Sequence, residues 1–287
     1  MAGELPPPRR SKLGLLLRAG IFAFLAVASL FLFGTLMTPV AGYVAASVLS
    51  TFAAAAIANA VALRIYERGR LADIGLGWNA ASSRNLALGL SGGLGAALLV
   101  LGLPLLFRLA EFRRDPAVEP TWGGMLFLTI LLLFGAIGEE MLFRGYGFQV
   151  FVVTTGRYAA ILPTSVLFAA AHSSNENVVP LGLLNTFLWG VLLCLAFLRS
   201  GDLWLPIGLH YGWNVALPFF GVNLSGFRMG VTGYALQWKT GALWSGGDYG
   251  PEGGLLTTLV LVALFYFLAK APIERQEAFL LRGSGEE

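Results

Sequence analysis

The sequence predicts an all-α fold, a polytopic membrane helical bundle of about eight transmembrane helices, and three observations carry that prediction. Of 287 residues, 56% are hydrophobic and only 12% charged, with 19 Lys and Arg against 16 Asp and Glu; a soluble domain is about a quarter charged. Mean hydropathy is +0.73. The charges are clumped, and the apolar runs between them reach the roughly 20 residues that a helix needs to cross a bilayer. Only helices and closed barrels satisfy their backbone groups in lipid, and unbroken apolar runs of this length favour helices. These features exclude a soluble enzyme, a secreted disulfide scaffold and a disordered chain. A pI of about 9.2 does not signal a nucleic-acid partner, because the Lys and Arg residues sit in loops and form no basic domain.

The N-terminal Pro6-Pro7-Pro8-Arg9-Arg10-Ser11-Lys12 resembles a signal-peptide start. The apolar run behind it continues to about Met37, too long for an ordinary signal core, so it is expected to stay as a first anchor. Spans are expected at Ala19–Met37, Val40–Leu63, Leu86–Leu106, Gly124–Phe148, Ile161–Ser173, Val178–Phe197, Leu203–Phe220 and Leu255–Ala269. With the N-terminus inside, five cations (Arg108, Arg113, Arg114, Arg228, Lys239) fall outside and the other Lys and Arg residues inside, Arg144 among them. That bias predicts an integral protein of the plasma (inner) membrane with both termini cytoplasmic. Residues 1–120 would form an N-terminal tail and the first three helices, and residues 121–287 a second membrane unit. Within the latter, Gly221–Gly254 carries ten glycines among 34 residues, with Phe227, Tyr234, Trp238, Trp244 and Tyr249. It is expected to be an irregular loop on the outer interface, with a lid or gate as the alternative. Cys194, the single cysteine, lies in an apolar run and is read as packing.

Polar side chains inside the spans are costly and mark function or a buried pair. The fourth span ends in Gly138-Glu139-Glu140-Met141-Leu142-Phe143-Arg144. At 100° per residue, Glu140 and Arg144 lie about 40° apart on one face and can pair, whereas Glu139 lies about 140° from Arg144 and points elsewhere. The bland alternative is that both carboxylates simply end the helix at the interface. The two histidines weaken it. His172 follows Phe168 by four residues near the end of the fifth span, and His210 precedes Asn214 by four within the seventh. Hydropathy alone would set Glu139 and His172 at opposite ends of their helices. For them to meet, the fourth helix must run past Arg144 toward Val150–Val153 and the fifth must be short or shifted. That version is preferred because Gly145–Val153 remains apolar.

Glu139-Glu140-x-x-x-Arg144, Phe168-x-x-x-His172 and His210-x-x-x-Asn214, in this order on three segments, resemble the three motifs of the CPBP family. That family comprises type II CAAX prenyl endopeptidases and bacteriocin-processing or immunity (Abi) proteins. The resemblance covers roughly the C-terminal half and implies an intramembrane endopeptidase, with 121–287 as its catalytic membrane domain and the site within the membrane. It implies Glu139 as the base that activates water, His172 as its partner, and His210 with Asn214 as oxyanion donors; Glu140, Arg144 and Phe168 would support the site. Physical chemistry agrees that peptide hydrolysis needs a base and aimed donors.

Metal dependence stays open. Glu139, His172 and His210 form a two-His, one-carboxylate set of the kind that holds catalytic zinc, as in a metalloprotease. Yet no His-Glu-x-x-His helix is present, and ligating through His210 would remove it from the oxyanion. A metal-independent glutamate mechanism is preferred, with no cofactor required. The expected partners are the lipid bilayer and a membrane-associated or lipidated peptide or protein, with no nucleic acid. Two other classes stand beside the enzyme: an ion-coupled transporter that relays protons through Glu and His, and a non-catalytic immunity or scaffold protein.

Overall fold

The computed structural model describes residues 11–276 together with Ala278 and Leu281. Residues 1–10 of the proline-rich basic tail, and Arg282, lie outside the described residues. Helix α1 (Lys12–Tyr66) holds the first two expected spans as antiparallel halves. Pro39 removes an amide donor and Gly42 adopts φ +74°, so the helix breaks there and doubles back. The return is visible in Arg18, near the start of α1, whose Nη1 lies 2.7 Å from Oε1 of Glu67, just past its end.

A 3-10 turn (Leu71–Ile74) and the Asn79 cap lead into α2 (Ala80–Leu106); strand β1 (Ala110–Arg114) and α3 (Trp122–Arg144) follow. The sequence predicts that the fourth helix runs straight through Arg144. It instead breaks at Gly145 and resumes as α4 (Tyr146–Thr155). The cause is Asn59 of α1, which enters the break: its Nδ2 donates to the Met141 carbonyl at 2.9 Å and its Oδ1 accepts from the Tyr146 N–H at 2.7 Å. A Cβ at position 145 would lie 2.1 Å from the Met141 oxygen, so the corner requires glycine.

Helix α5 (Arg157–Ala171) has 15 residues and stops at His172; α6 (Pro180–Ser200) and α7 (Trp204–Phe219) complete the central part. After these come β2 (Tyr234–Trp238), the single turn α8 (Ala242–Ser245), two 3-10 turns (Gly247–Tyr249, Pro251–Gly253) and α9 (Leu255–Lys270). All eight expected spans coincide with helical segments, their ends shifted by a few residues. By length and composition, Leu13–Tyr66, Ala80–Leu106, Trp122–Thr155 and Pro180–Ser200 can each cross a membrane, while α5 and α9 are shorter apolar helices.

Helix α7 occupies the centre of the bundle because glycines let it approach α2 closely. Gly89 and Gly93 on α2 face Gly208 and Gly212 on α7, each pair spaced by four residues. A Cβ at Gly89 would lie 2.3 Å from the Leu205 carbonyl oxygen, and one at Gly208 would lie 2.5 Å from that of Leu86. Small-xxx-small faces of this kind let membrane helices gain dispersion energy backbone to backbone.

The segment 221–254 carries some regular structure where an irregular loop was expected. Strand β2 pairs antiparallel with β1, from Ala110↔Trp238 to Arg114↔Tyr234. Leu224, Leu236 and Tyr249 are buried, so these apolar groups of the segment pack against the rest of the protein. The pairing brings the Arg108–Arg114 cluster to the same end as Arg228 and Lys239. Arg228 binds Asp115, and Lys239 and Arg113 bind Glu111. These hydrogen bonds, from Lys239 and from Arg228 respectively, hold Glu111 and Asp115 below their ordinary values. At the opposite end, Asp202 receives Asn85 Nδ2 at 2.9 Å and the Gln276 amide. Burial raises the Asp202 carboxyl. Arg144 departs from its expected place among the inner loop cations: it is fully buried in the bundle, and its partners there explain why.

Candidate active site

Three helices converge on one cavity of about 410 Å3, which Glu139, His172, His210 and Asn214 all line. Glu139 and Glu140 sit one turn before the Gly145 break, His172 caps α5, and His210 and Asn214 occupy successive turns of α7. The fifth helix is short, as the meeting of Glu139 with His172 requires, and the fourth bends where a straight run was expected.

Glu140 and Arg144 share a helical face and pair, with Nη1 to Oε1 at 3.3 Å and both side chains fully buried. Arg144 also donates to the Gly190 carbonyl of α6 at 3.3 Å, and its guanidinium lies 4.7 Å from the Phe168 ring centroid. The same Glu140 Oε1 lies 2.8 Å from His210 Nδ1. A carboxylate only accepts, so His210 donates from Nδ1 and turns Nε2 to the cavity. His172 repeats the pattern: Nδ1 lies 2.8 Å from the Phe168 carbonyl and therefore donates, which leaves Nε2 facing inward. Both Nε2 atoms point at Glu139, whose Oε2 is 3.9 Å from His172 and 3.8 Å from His210. Glu139 keeps 26% of its side chain accessible, against none for Glu140. Adjacent carboxylates thus have opposite surroundings: one is neutralised in the protein, the other is open to the cavity.

Phe168 lies beneath both rings, 4.8 Å from His172 and 6.2 Å from His210 by centroids. The rest of the chamber is largely apolar, with Leu132, Leu142, Phe143, Leu193 and Met229 among its walls. A single tetrahedral zinc held at about 2.0–2.1 Å would put its ligands about 3.3 Å apart. The observed separations exceed that, and among the described residues no group of three His, Cys, Asp or Glu converges to hold an ion. The set therefore does not fit a metal as it stands.

Sequence reasoning missed two contributors. Asn59 shapes the corner below Glu139, and a search of the spans for carboxamides as well as charges would have found it in its Ala-rich run. Glu252 lines the cavity from the far side, in a Pro-Glu-Gly-Gly turn directly ahead of α9. Cys194 is buried, in keeping with a packing role.

The family described as Type II CAAX prenyl endopeptidase Rce1-like matches residues 121–216. A protein of Escherichia coli, described as an uncharacterized 24.3 kDa protein, is 35% identical over 147 residues, which cover 50% of this chain and 62% of that protein. The chain thus spans less than two thirds of the length of the curated relative it matches. No solved structure matches. The matched stretch runs from the cap of α3 into the last turn of α7 and contains every residue of the three motifs, so the similarity to the Rce1-like family is carried by the segment that builds the cavity.

Proposed function

We propose that this protein is an intramembrane endopeptidase that hydrolyses a peptide bond in a membrane-associated peptide or protein, at a site below the bilayer surface. One observation carries the reading: the Glu139 carboxylate is open to an apolar cavity and lies within 4 Å of both imidazole Nε2 atoms. In this reading Glu139 takes a proton from water as the oxygen attacks the scissile carbonyl, and His172, fixed by the Phe168 carbonyl, shares that proton and passes it to the leaving amine. Asn214 donates its amide N–H to the oxyanion. His210 joins it once protonated, since Nε2 then also carries hydrogen, and Glu140 beside Nδ1 offsets the added charge. Glu140, Arg144 and Phe168 hold the rings in place. No metal and no cofactor take part. In this reading the protein sits in the plasma (inner) membrane with both termini cytoplasmic, which the Lys and Arg bias of its loops supports.

The test compares membrane peptides from cells carrying wild-type protein, Glu139→Gln or His172→Ala. Loss of a positioned general base costs about 10²–10⁴-fold, so a set of cleavage products should vanish in both variants. Identical peptide catalogues in all three strains would overturn the proposal. Wild-type cleavage should persist after exhaustive treatment with a chelator; its loss, with recovery on adding zinc, would replace the water–glutamate scheme by a metal one.

A further inference from the structure

Among the described residues, Glu252 is the one carboxylate besides Glu139 that lines the cavity, and no Lys, Arg or His pairs with it. Glu252 is 8% exposed. Its turn is held from behind: Asn185 on α6 donates to the carbonyls of Glu252 and Gly254 at 2.7 and 3.1 Å, and the Thr257 hydroxyl donates to the Pro251 carbonyl at 2.6 Å. The side chain reaches forward from this fixed backbone. Its Oε1 accepts from the Trp213 indole at 3.2 Å, and Trp213 lies between His210 and Asn214 on α7. Its Oε2 accepts from the Ser225 hydroxyl at 2.9 Å and from the Ser225 N–H.

All three of these donors are neutral. Among the described residues, no Lys, Arg or His nitrogen lies within 4 Å of Glu252. The two cations of the segment 221–254 are engaged elsewhere, Arg228 with Asp115 and Lys239 with Glu111. Because N–H donors meet both oxygens, the geometry suits the ionised carboxylate. A charge enclosed in apolar surroundings without a counter-ion is unfavourable, and neutral hydrogen bonds offset only part of that. A carboxylate offers about four acceptor positions and three are used, so one remains for a donor that enters the chamber. Glu140, by contrast, already has Arg144 and His210, and so has no need of a ligand.

We propose that Glu252 is a specificity-determining residue that takes a cationic group of the peptide substrate, a Lys or Arg side chain or a free α-amine, while the scissile bond faces Glu139. This rests on the endopeptidase reading. It predicts that peptides cleaved in a Glu139-dependent way carry a basic group at one fixed spacing from the cut.

The experiment has two arms. First, the Glu139-dependent products from the comparison of strains are aligned on their cleavage points. A Lys, an Arg or an N-terminus recurring at one position is expected, and the lack of any such position overturns the inference. Second, a fluorogenic peptide copied from one product is assayed with wild-type protein in lipid vesicles, with the basic residue kept or replaced by norleucine, or with the α-amine acetylated. Removing the cation should raise KM by about tenfold or more with kcat little changed, as loss of a buried charge partner implies. Equal KM values for the charged and neutral peptides would overturn the inference whether or not any variant folds. Glu252→Gln keeps the shape and should erase this preference while still cleaving the neutral peptide. If no Glu139-dependent product exists, the endopeptidase reading falls first; products without a basic position remove only the role of Glu252.

Discussion

Arg144→Met tests the claim that Glu140 is a neutralised support and not a second open carboxylate. Wild-type Arg144 and Glu140 are both fully buried and pair at 3.3 Å. Removing one partner of a buried pair leaves an uncompensated charge, at about 3–5 kcal/mol. That corresponds to roughly two to three and a half decades in the folding equilibrium. His210, 2.8 Å from the same oxygen, can take a proton and offset part of the loss, which points to the lower end of the range. Met keeps the volume over Phe168, so the penalty reports charge more than a cavity. The double variant Glu140→Gln/Arg144→Met removes both charges and should recover most of the lost stability, because replacing a whole buried pair is often neutral. Unfolding measured by steric trapping in lipid micelles gives the four free energies of the cycle. If Arg144→Met is as stable as wild type, or the double variant no better than the single one, the pair does not act as described. Stability and activity should separate, since Glu140→Gln weakens the hold on His210 and the double variant should stay poorly active.

Other expectations follow from named contacts. Asn59→Leu leaves the Tyr146 N–H without its acceptor at the Gly145 corner, at about 1–3 kcal/mol for a buried donor, while the Met141 carbonyl keeps the Gly145 N–H; thermal unfolding should show the loss, with reduced turnover as Glu139 shifts. Gly89→Leu or Gly208→Leu forces α2 and α7 apart, because even a Cβ would collide with opposing backbone. Either should abolish activity without touching the cavity, and normal turnover by a folded Gly208→Leu protein would contradict the close approach. Glu111 and Asp115 are held below their ordinary values of 4.5 and 3.8, so their contribution is present at neutral pH and is lost as pH falls through and below that range. Hydrogen exchange in β1 and β2 should therefore speed up on acidification, and Lys239→Met should blunt the change.

Much of the architecture was legible because a bilayer permits few solutions. Apolar runs near 20 residues, separated by clumped charges, leave only helices, and all eight runs form helices. The site residues stood out for the same reason: in so apolar a chain, Glu139, Glu140, Arg144, His172, His210 and Asn214 are conspicuous, and the i, i+4 spacing already joined Glu140 to Arg144. Less was readable where structure depends on partners distant in sequence. Gly145 breaks the fourth helix because Asn59, 86 residues earlier, supplies hydrogen bonds at that corner. The glycine-rich segment after α7 becomes a covering layer because β1, more than a hundred residues earlier, offers it an edge to pair with.

The sequence by itself determined the membrane class, the eight apolar runs that form helices and the short list of polar side chains within them. Local periodicity and the cost of charge in hydrocarbon set these, and both are properties of neighbouring residues. Tertiary structure alone decided that Glu139 faces both imidazoles, that His210 joins Glu140 beside Arg144, that the two rings are anchored through Nδ1, and that Glu252 joins the cavity from a loop before the last helix. Such facts depend on helix depth, rotation and close approach, which glycine contacts such as Gly89 to α7 and Gly138 to Phe52 establish between segments far apart in the chain.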